Sequence, residues 1–153
     1  MGYDLLGLAS EGEKENSFCN SIWGWYPLWN YVCKTCSDFL TDIDMEQGNW
    51  NNGYLLNEWQ SAKIASRLFD LIESGAVHEE AVEFNKKRSN MPFETCSVCN
   101  GTGIREDKNY TGKCNACDGK GQREPSEAWY DFEEDNVSEF AEFCCDSGGF
   151  YIC

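Results

Sequence analysis

The chain reads as an α+β protein dominated by helix. About three main helices, a short terminal β pairing and an inserted four-cysteine hairpin are expected. Three observations predict this. Apolar residues recur at helical spacing over roughly 27–40, 57–75 and 136–147. Short apolar runs stand at both ends, at Tyr3–Leu8 and Phe150–Ile152. Between the helices, residues 94–123 are mostly Gly, Cys, Asn and charge, with Val98 and Ile104 as the only large aliphatic side chains.

Taken in order, Tyr3-Asp4-Leu5-Leu6-Gly7-Leu8 predicts a strand, followed by a charged loop through Glu11, Glu13 and Glu15. In Trp23-Gly24-Trp25-Tyr26-Pro27-Leu28-Trp29, Pro27 suits the first turn of a helix, where its missing N–H is harmless. Trp29, Val32, Cys33, Cys36 and Leu40 then keep helical spacing, which places this helix over 27–40. The aromatic cluster at 23–31 reads as core around the helix start, and an exposed aromatic platform is the sharper alternative. Residues 42–54, rich in Gly and Asn, read as loop.

The next helix is better marked. Asn57 caps it, Gln60 completes a capping box, and Ala62, Ala65, Leu68, Phe69 and Ile72 form its apolar face up to Gly75. A short polar helix over Glu79–Lys87 is expected next. The last helix is expected to start at Asn136, with Glu139 completing a second box. Val137, Phe140, Ala141, Cys144 and Cys145 form its apolar face, and Gly148-Gly149 ends it. Phe150–Ile152 then pairs with the first strand. The expected division is one helical α+β domain from 1–93 and 124–153, interrupted by a module at 94–123.

At 153 residues and 17.4 kDa, with 41% hydrophobic and 14% aromatic residues, the chain can bury a core. A sole histidine, His78, excludes any mechanism needing two imidazoles from this chain. There is no Walker loop, HExxH, GxSxG or dinucleotide fingerprint, and no carboxylate pair stands out as an acid/base couple, so a non-enzymatic role is expected. The start has no basic n-region, and the greasiest run, 22–32, is broken by Gly24, Pro27 and Asn30 and is too short for a bilayer. A soluble cytoplasmic protein, in a bacterium or an infected host cell, is expected. In a reducing compartment ten cysteines point to metal or packed thiols before disulfides.

The information lies in a repeat. Cys96-Ser97-Val98-Cys99-Asn100-Gly101-Thr102-Gly103 returns as Cys114-Asn115-Ala116-Cys117-Asp118-Gly119-Lys120-Gly121, both copies reading CxxCxGxG. Two thiolates at this spacing bend around one ion, and two copies complete a tetrahedral four-thiolate site. Zn(II), one per chain, held by Cys96, Cys99, Cys114 and Cys117, is the expected cofactor. Four ligands close the coordination shell, so the role expected of the ion is structural. With so few apolar side chains, the metal is what would order the module.

Over residues 96–121 the repeat resembles the cysteine-rich zinc finger of DnaJ-type chaperones. That family carries four copies and two zinc centres, so two copies here imply one. The co-chaperone role does not follow, because His78 is followed by Glu79 and the J-domain's His-Pro-Asp is missing. More widely, the layout resembles small uncharacterised zinc-finger proteins of phages and bacteria. The marks are Tyr3–Leu8, Trp23–Trp29, the CxxCxGxG pair and Asn136-Val137 leading to Ser147-Gly148-Gly149-Phe150.

Cys33 and Cys36 form a CxxC well inside a predicted helix, unlike a redox pair placed at a helix N-terminus, and read as packed thiols. A second four-thiolate site from Cys33, Cys36, Cys144 and Cys145 is the alternative. Cys19 and Cys153 show no partner.

Charge decides the partner class. With 27 acids against 12 bases the net charge is -15, which disfavours general nucleic-acid binding. Residues 86–123 hold eight bases and four acids, and the remainder is strongly acidic. From Glu124 to Asp146 nine carboxylates follow with no base between them. The expected function is a zinc-binding protein–protein interaction module, an acidic modulator or inhibitor of a nucleic-acid-handling or defence protein. It would meet a partner's basic surface through Glu133, Glu134, Asp135, Glu139 and Glu142. A chaperone-like or thiol-redox factor, and nucleic-acid binding by the basic hairpin, are the alternatives.

Overall fold

Side-chain alternation along short strands, and helices laid against one sheet face, organise the larger part of the molecule. The computed structural model describes residues 2–9 and 16–153. The chain begins β1 (Gly2–Gly7), β2 (Ser17–Ser21), α1 (Ile22–Thr35), α2 (Asp42–Gln47), β3 (Tyr54–Asn57), α3 (Glu58–Glu73) and α4 (Ala76–Ser89). It continues β4 (Glu94–Thr95), β5 (Ile104–Asp107), β6 (Tyr110–Lys113) and β7 (Gln122–Arg123). A 3-10 turn at Ser126–Trp129, α5 (Glu134–Asp146) and β8 (Gly149–Ile152) complete it. The class is mixed α+β, and the described residues hold five α-helices where the sequence predicts about three main ones and a short polar one over 79–87; α4 covers the polar one, and α2 is the addition. The expected charged loop through Glu11, Glu13 and Glu15 lies outside the described residues.

Two compact units result: Met1–Asn85 with Tyr130–Cys153, and Lys86–Trp129. In the first, an antiparallel sheet runs in the order β2-β1-β8-β3. The terminal pairing is present, with Leu5 opposite Ile152, and β2 and β3 widen it to four strands. Tyr3, Leu5, Phe18, Leu56, Phe150 and Ile152 are buried, while Leu6, Leu55 and Tyr151 between them are exposed. That period of two is what a one-sided sheet requires. Helices α3 and α5 pack on each other, and α1, α3 and α5 all touch the sheet.

Helix α1 starts earlier than predicted. Ser21 caps it, accepting from the Gly24 N–H, so Pro27 sits inside the helix and the helix ends at Thr35 instead of residue 40. The aromatic segment is core: Trp25 and Trp29 are fully buried and stacked, with centroids 5.5 Å apart, and Tyr3 and Phe140 meet Trp25. Both indoles find acceptors, Trp25 Nε1 on the Gly48 carbonyl at 2.8 Å and Trp29 Nε1 on that of Met45 at 2.9 Å. Burial without that pairing would be costly.

Both acceptors belong to a segment expected to be loop. Thr41 and Asp44 form a capping box that starts α2. The Asp44 carboxylate is buried and accepts from the Thr41 N–H and hydroxyl, Tyr54 OH and Gln60 Nε2, at 2.7–3.0 Å. Burial works against its charge, but the bonds from Thr41, Tyr54 and Gln60 outweigh it and hold the carboxyl below its ordinary range.

Helix α3 has the predicted Asn57–Gln60 box. Its buried face is Ser61, Ile64, Ala65 and Leu68, rotated from the predicted one, and Ala62 and Phe69 are exposed. Ser61 Oγ reaches the Cys144 carbonyl at 2.7 Å and Ser147 Oγ at 2.8 Å, tying α3 to the end of α5. The expected box at Asn136 and Glu139 is absent. Helix α5 starts at Glu134 without a side-chain cap, and Asn136 Oδ1 instead accepts from Asn20 Nδ2 at 2.8 Å. Its buried face is Val137, Phe140, Ala141, Phe143 and Cys144, and Cys145 is exposed.

Candidate metal centre

The second unit has no hydrocarbon core; its buried cluster is Cys96, Cys99, Cys114 and Cys117. Two short ladders frame it, β4 with β7 and β5 with β6. Each CxxCxGxG copy folds alike. The Gly101 N–H donates to the Cys96 carbonyl and the Thr102 N–H to Cys99; Gly119 and Lys120 repeat this on Cys114 and Cys117. The copies are then cross-tied, the Cys96 N–H to the Gly121 carbonyl and the Cys114 N–H to the Gly103 carbonyl, both at 2.9 Å. Asn100 and Asp118 match even in backbone, with φ of 51° and 52°. The repeat in sequence is thus a local pseudo-twofold in space.

That symmetry brings four sulfurs together. Cys96 and Cys114 Sγ are 4.0 Å apart, Cys99 and Cys117 Sγ 3.7 Å, and all four lie within 4.8 Å of one another. A tetrahedral thiolate site with bonds of about 2.3 Å has edges of about 3.8 Å. The spacing therefore fits a metal ion, whereas a disulfide needs sulfurs about 2.05 Å apart. Among the described residues this is the one group of three or more His, Cys, Asp or Glu side chains close enough to share an ion.

Backbone amides aim at the sulfurs. The Gly103 N–H donates to Cys99 Sγ at 3.3 Å and the Gly121 N–H to Cys117 Sγ at 3.2 Å. Such bonds spread thiolate charge and orient the ligand. Burial opposes a charge on Cys99, yet the Gly103 N–H and the neighbouring thiols bring it down to about 6. Cys117 is pushed up to about 11, burial being the largest cause. A central cation removes this conflict by neutralising thiolates that cannot all be charged alone.

The remaining cysteines do not assemble a second site. Cys36 and Cys144 are buried, Cys33 is half-buried, Cys145 is exposed, and no group joining all four is close enough to ligate. Burial pushes Cys33 up to about 12 and Cys36 up to about 11, and it also raises Cys144 well above the ordinary thiol value. These are the properties of packed thiols.

The carboxylates singled out from sequence lie in the first unit. Glu133, Glu134, Asp135, Glu139 and Glu142 are all exposed. Glu134 pairs with Nδ1 of His78, a contact between the start of α5 and helix α4 that sequence reasoning did not foresee. No helix among the described residues is long and apolar enough to cross a membrane. Neither protein-family models, nor curated proteins, nor solved structures give a match to this chain.

Proposed function

We propose that the chain is a non-enzymatic, zinc-stabilised protein–protein interaction module, with one structural Zn(II) in a DnaJ-type finger and a basic protein as its partner. The carrying observation is the buried cluster of four sulfurs, all within 4.8 Å of one another. Two of its edges, 3.7 and 4.0 Å, are near those of a closed tetrahedral thiolate site, and two backbone amides donate to sulfur. Zinc there orders a module that has no other core.

The partner class rests on charge. The buried face of α5 is spent on the core, and its other face presents Glu139 and Glu142 to solvent, with Glu133, Glu134 and Asp135 at its start. A surface of that sign competes with nucleic acid for a basic protein, the chemistry of a modulator or inhibitor of a nucleic-acid-handling or defence protein, such as a phage would encode.

Capture by the zinc-loaded full chain from a bacterial lysate, read by mass spectrometry, tests this. One basic protein retained by the native chain and lost with E139K/E142K supports the reading. A partner retained equally by both overturns the assigned surface.

A further inference from the structure

A concave groove on the second unit is built from different material. It encloses about 420 Å³, within the span of small-ligand sites, roughly 300–1,000 Å³. Phe93 and Trp129 line it, one entering the module and one leaving it, and both rings are more than half exposed. Lys120 and Arg123 supply positive charge, the Gln122 amide supplies a donor and an acceptor, and Asn115, whose Oδ1 accepts from Arg105 at 3.3 Å, supplies amide N–H donors. Of the two carboxylates on its rim, Asp118 and Glu124, Asp118 is already engaged by Lys113 at 2.6 Å.

We infer that this groove binds single-stranded nucleic acid, one or two nucleotides at a time: aromatic rings stack the base, Lys120 and Arg123 take the phosphate, and the amides meet the base edge. Flat exposed rings beside cations suit a π-faced anion better than an acidic peptide, whose carboxylates offer nothing to stack. The chain's net charge of -15 sets the size of the ligand. A duplex or long strand brings many phosphates that a chain of this sign repels, whereas a short single-stranded end brings only the one or two that Lys120 and Arg123 can neutralise. The groove is built within the second unit, and α5 belongs to the first.

The test uses zinc-loaded full-length protein and a fluorescein-labelled thymidine tetranucleotide, read by anisotropy. Saturable binding is expected, weakened about ten-fold by Phe93→Ala or Trp129→Ala. The pair Lys120→Gln with Arg123→Gln, on exposed side chains, should weaken it further. The slope of log K against log salt should be no steeper than about -1.4, as for two phosphates. Zinc content measured on each variant separates a lost contact from a lost fold. No saturable binding overturns the inference. So does binding unchanged in the variants that keep their zinc, equal binding of a matched duplex, or equal binding of an oligoglutamate peptide.

Discussion

A β-carbon on Gly103 would stand 2.4 Å from the carbonyl oxygen of Gly119, and one on Gly121 the same distance from that of Gly101. Each copy of the repeat thus holds the other's backbone at a distance only glycine permits, and both residues have φ near +74°, where a side chain is strained in any case. These glycines also donate to the sulfurs of Cys99 and Cys117. Gly103→Ala and Gly121→Ala are therefore expected to weaken zinc binding by roughly 10–100-fold, the range for lost support around a metal ligand. Competition with a chromophoric chelator measures it. Native affinity in both variants would show that the close approach is not needed.

Removing a ligand is more severe. Cys96→Ser should release the ion and disorder residues 94–123, because the module's buried cluster is its four sulfurs. The first unit has its own apolar core and should persist. Metal analysis gives the stoichiometry, one zinc per native chain and none in the variant, and amide exchange maps the disorder. Freshly purified, reduced native protein without zinc would refute the assignment.

Asp44 organises the opposite end of the problem, a charge buried with four hydrogen bonds and no metal. Asp44→Ala leaves the Tyr54 hydroxyl, Gln60 amide and Thr41 donors short of a partner, at a cost of about 3 kcal/mol in urea unfolding. The folded carboxyl lies below its ordinary value, so its stabilisation is fully present above the unfolded value near 3.9 and is lost as pH falls through the folded value. The gap between native protein and variant should accordingly narrow on acidification below about pH 4. A gap independent of pH would mean that the charge contributes nothing.

How far the sequence was legible follows from which signals were local. The Asn57–Gln60 box lives within a few residues and the cysteine spacing repeats, while the terminal pairing is readable only as two short apolar runs at the two ends, and the structure has all three. The misses are tertiary. Gly24 and Pro27 look like breaks, but Ser21 caps ahead of them and Trp25 and Trp29 are drawn into the core, so α1 runs through both. Thr41 and Asp44 make a box with Asp where Gln or Glu is usual, which hid α2. Asn136 resembled a cap, and its side chain instead joins Asn20, 116 residues away. Ser61 is polar yet buried because Cys144 and Ser147 satisfy it.

The CxxC at the C-terminal end of α1, with Cys33 in the last turn and Cys36 as the C-cap, should be silent as a redox centre. With Cys33 near 12 and Cys36 near 11, roughly one thiol in ten thousand or fewer is ionised at neutral pH. Native protein and Cys33→Ser should both be inactive in an insulin-reduction assay, and both thiols should alkylate slowly in folded protein. Steady turnover abolished by Cys33→Ser would restore the redox reading.

The acidic surface must be tested without damaging the helix that carries it. Glu133, Glu134 and Asp135 occupy the start of α5, and Glu134 also pairs with His78. Reversing them would oppose the helix dipole at a cost of up to about 1 kcal/mol per charge, mixing lost stability with lost binding. Glu139 and Glu142 lie within the helix on its exposed side, so E139K/E142K changes the field and leaves both the start of α5 and its buried face intact. Complementary charge at an interface acts mainly on encounter, so this variant should associate several-fold more slowly with a captured basic partner at low salt and dissociate at a nearly native rate. The difference should shrink at 0.5 M salt, where screening shortens the reach of surface charge to a few ångströms. Thermal unfolding should be within a few degrees of native, which separates the electrostatic effect from a folding defect. Association equal to native at both salt concentrations would move the interface off α5.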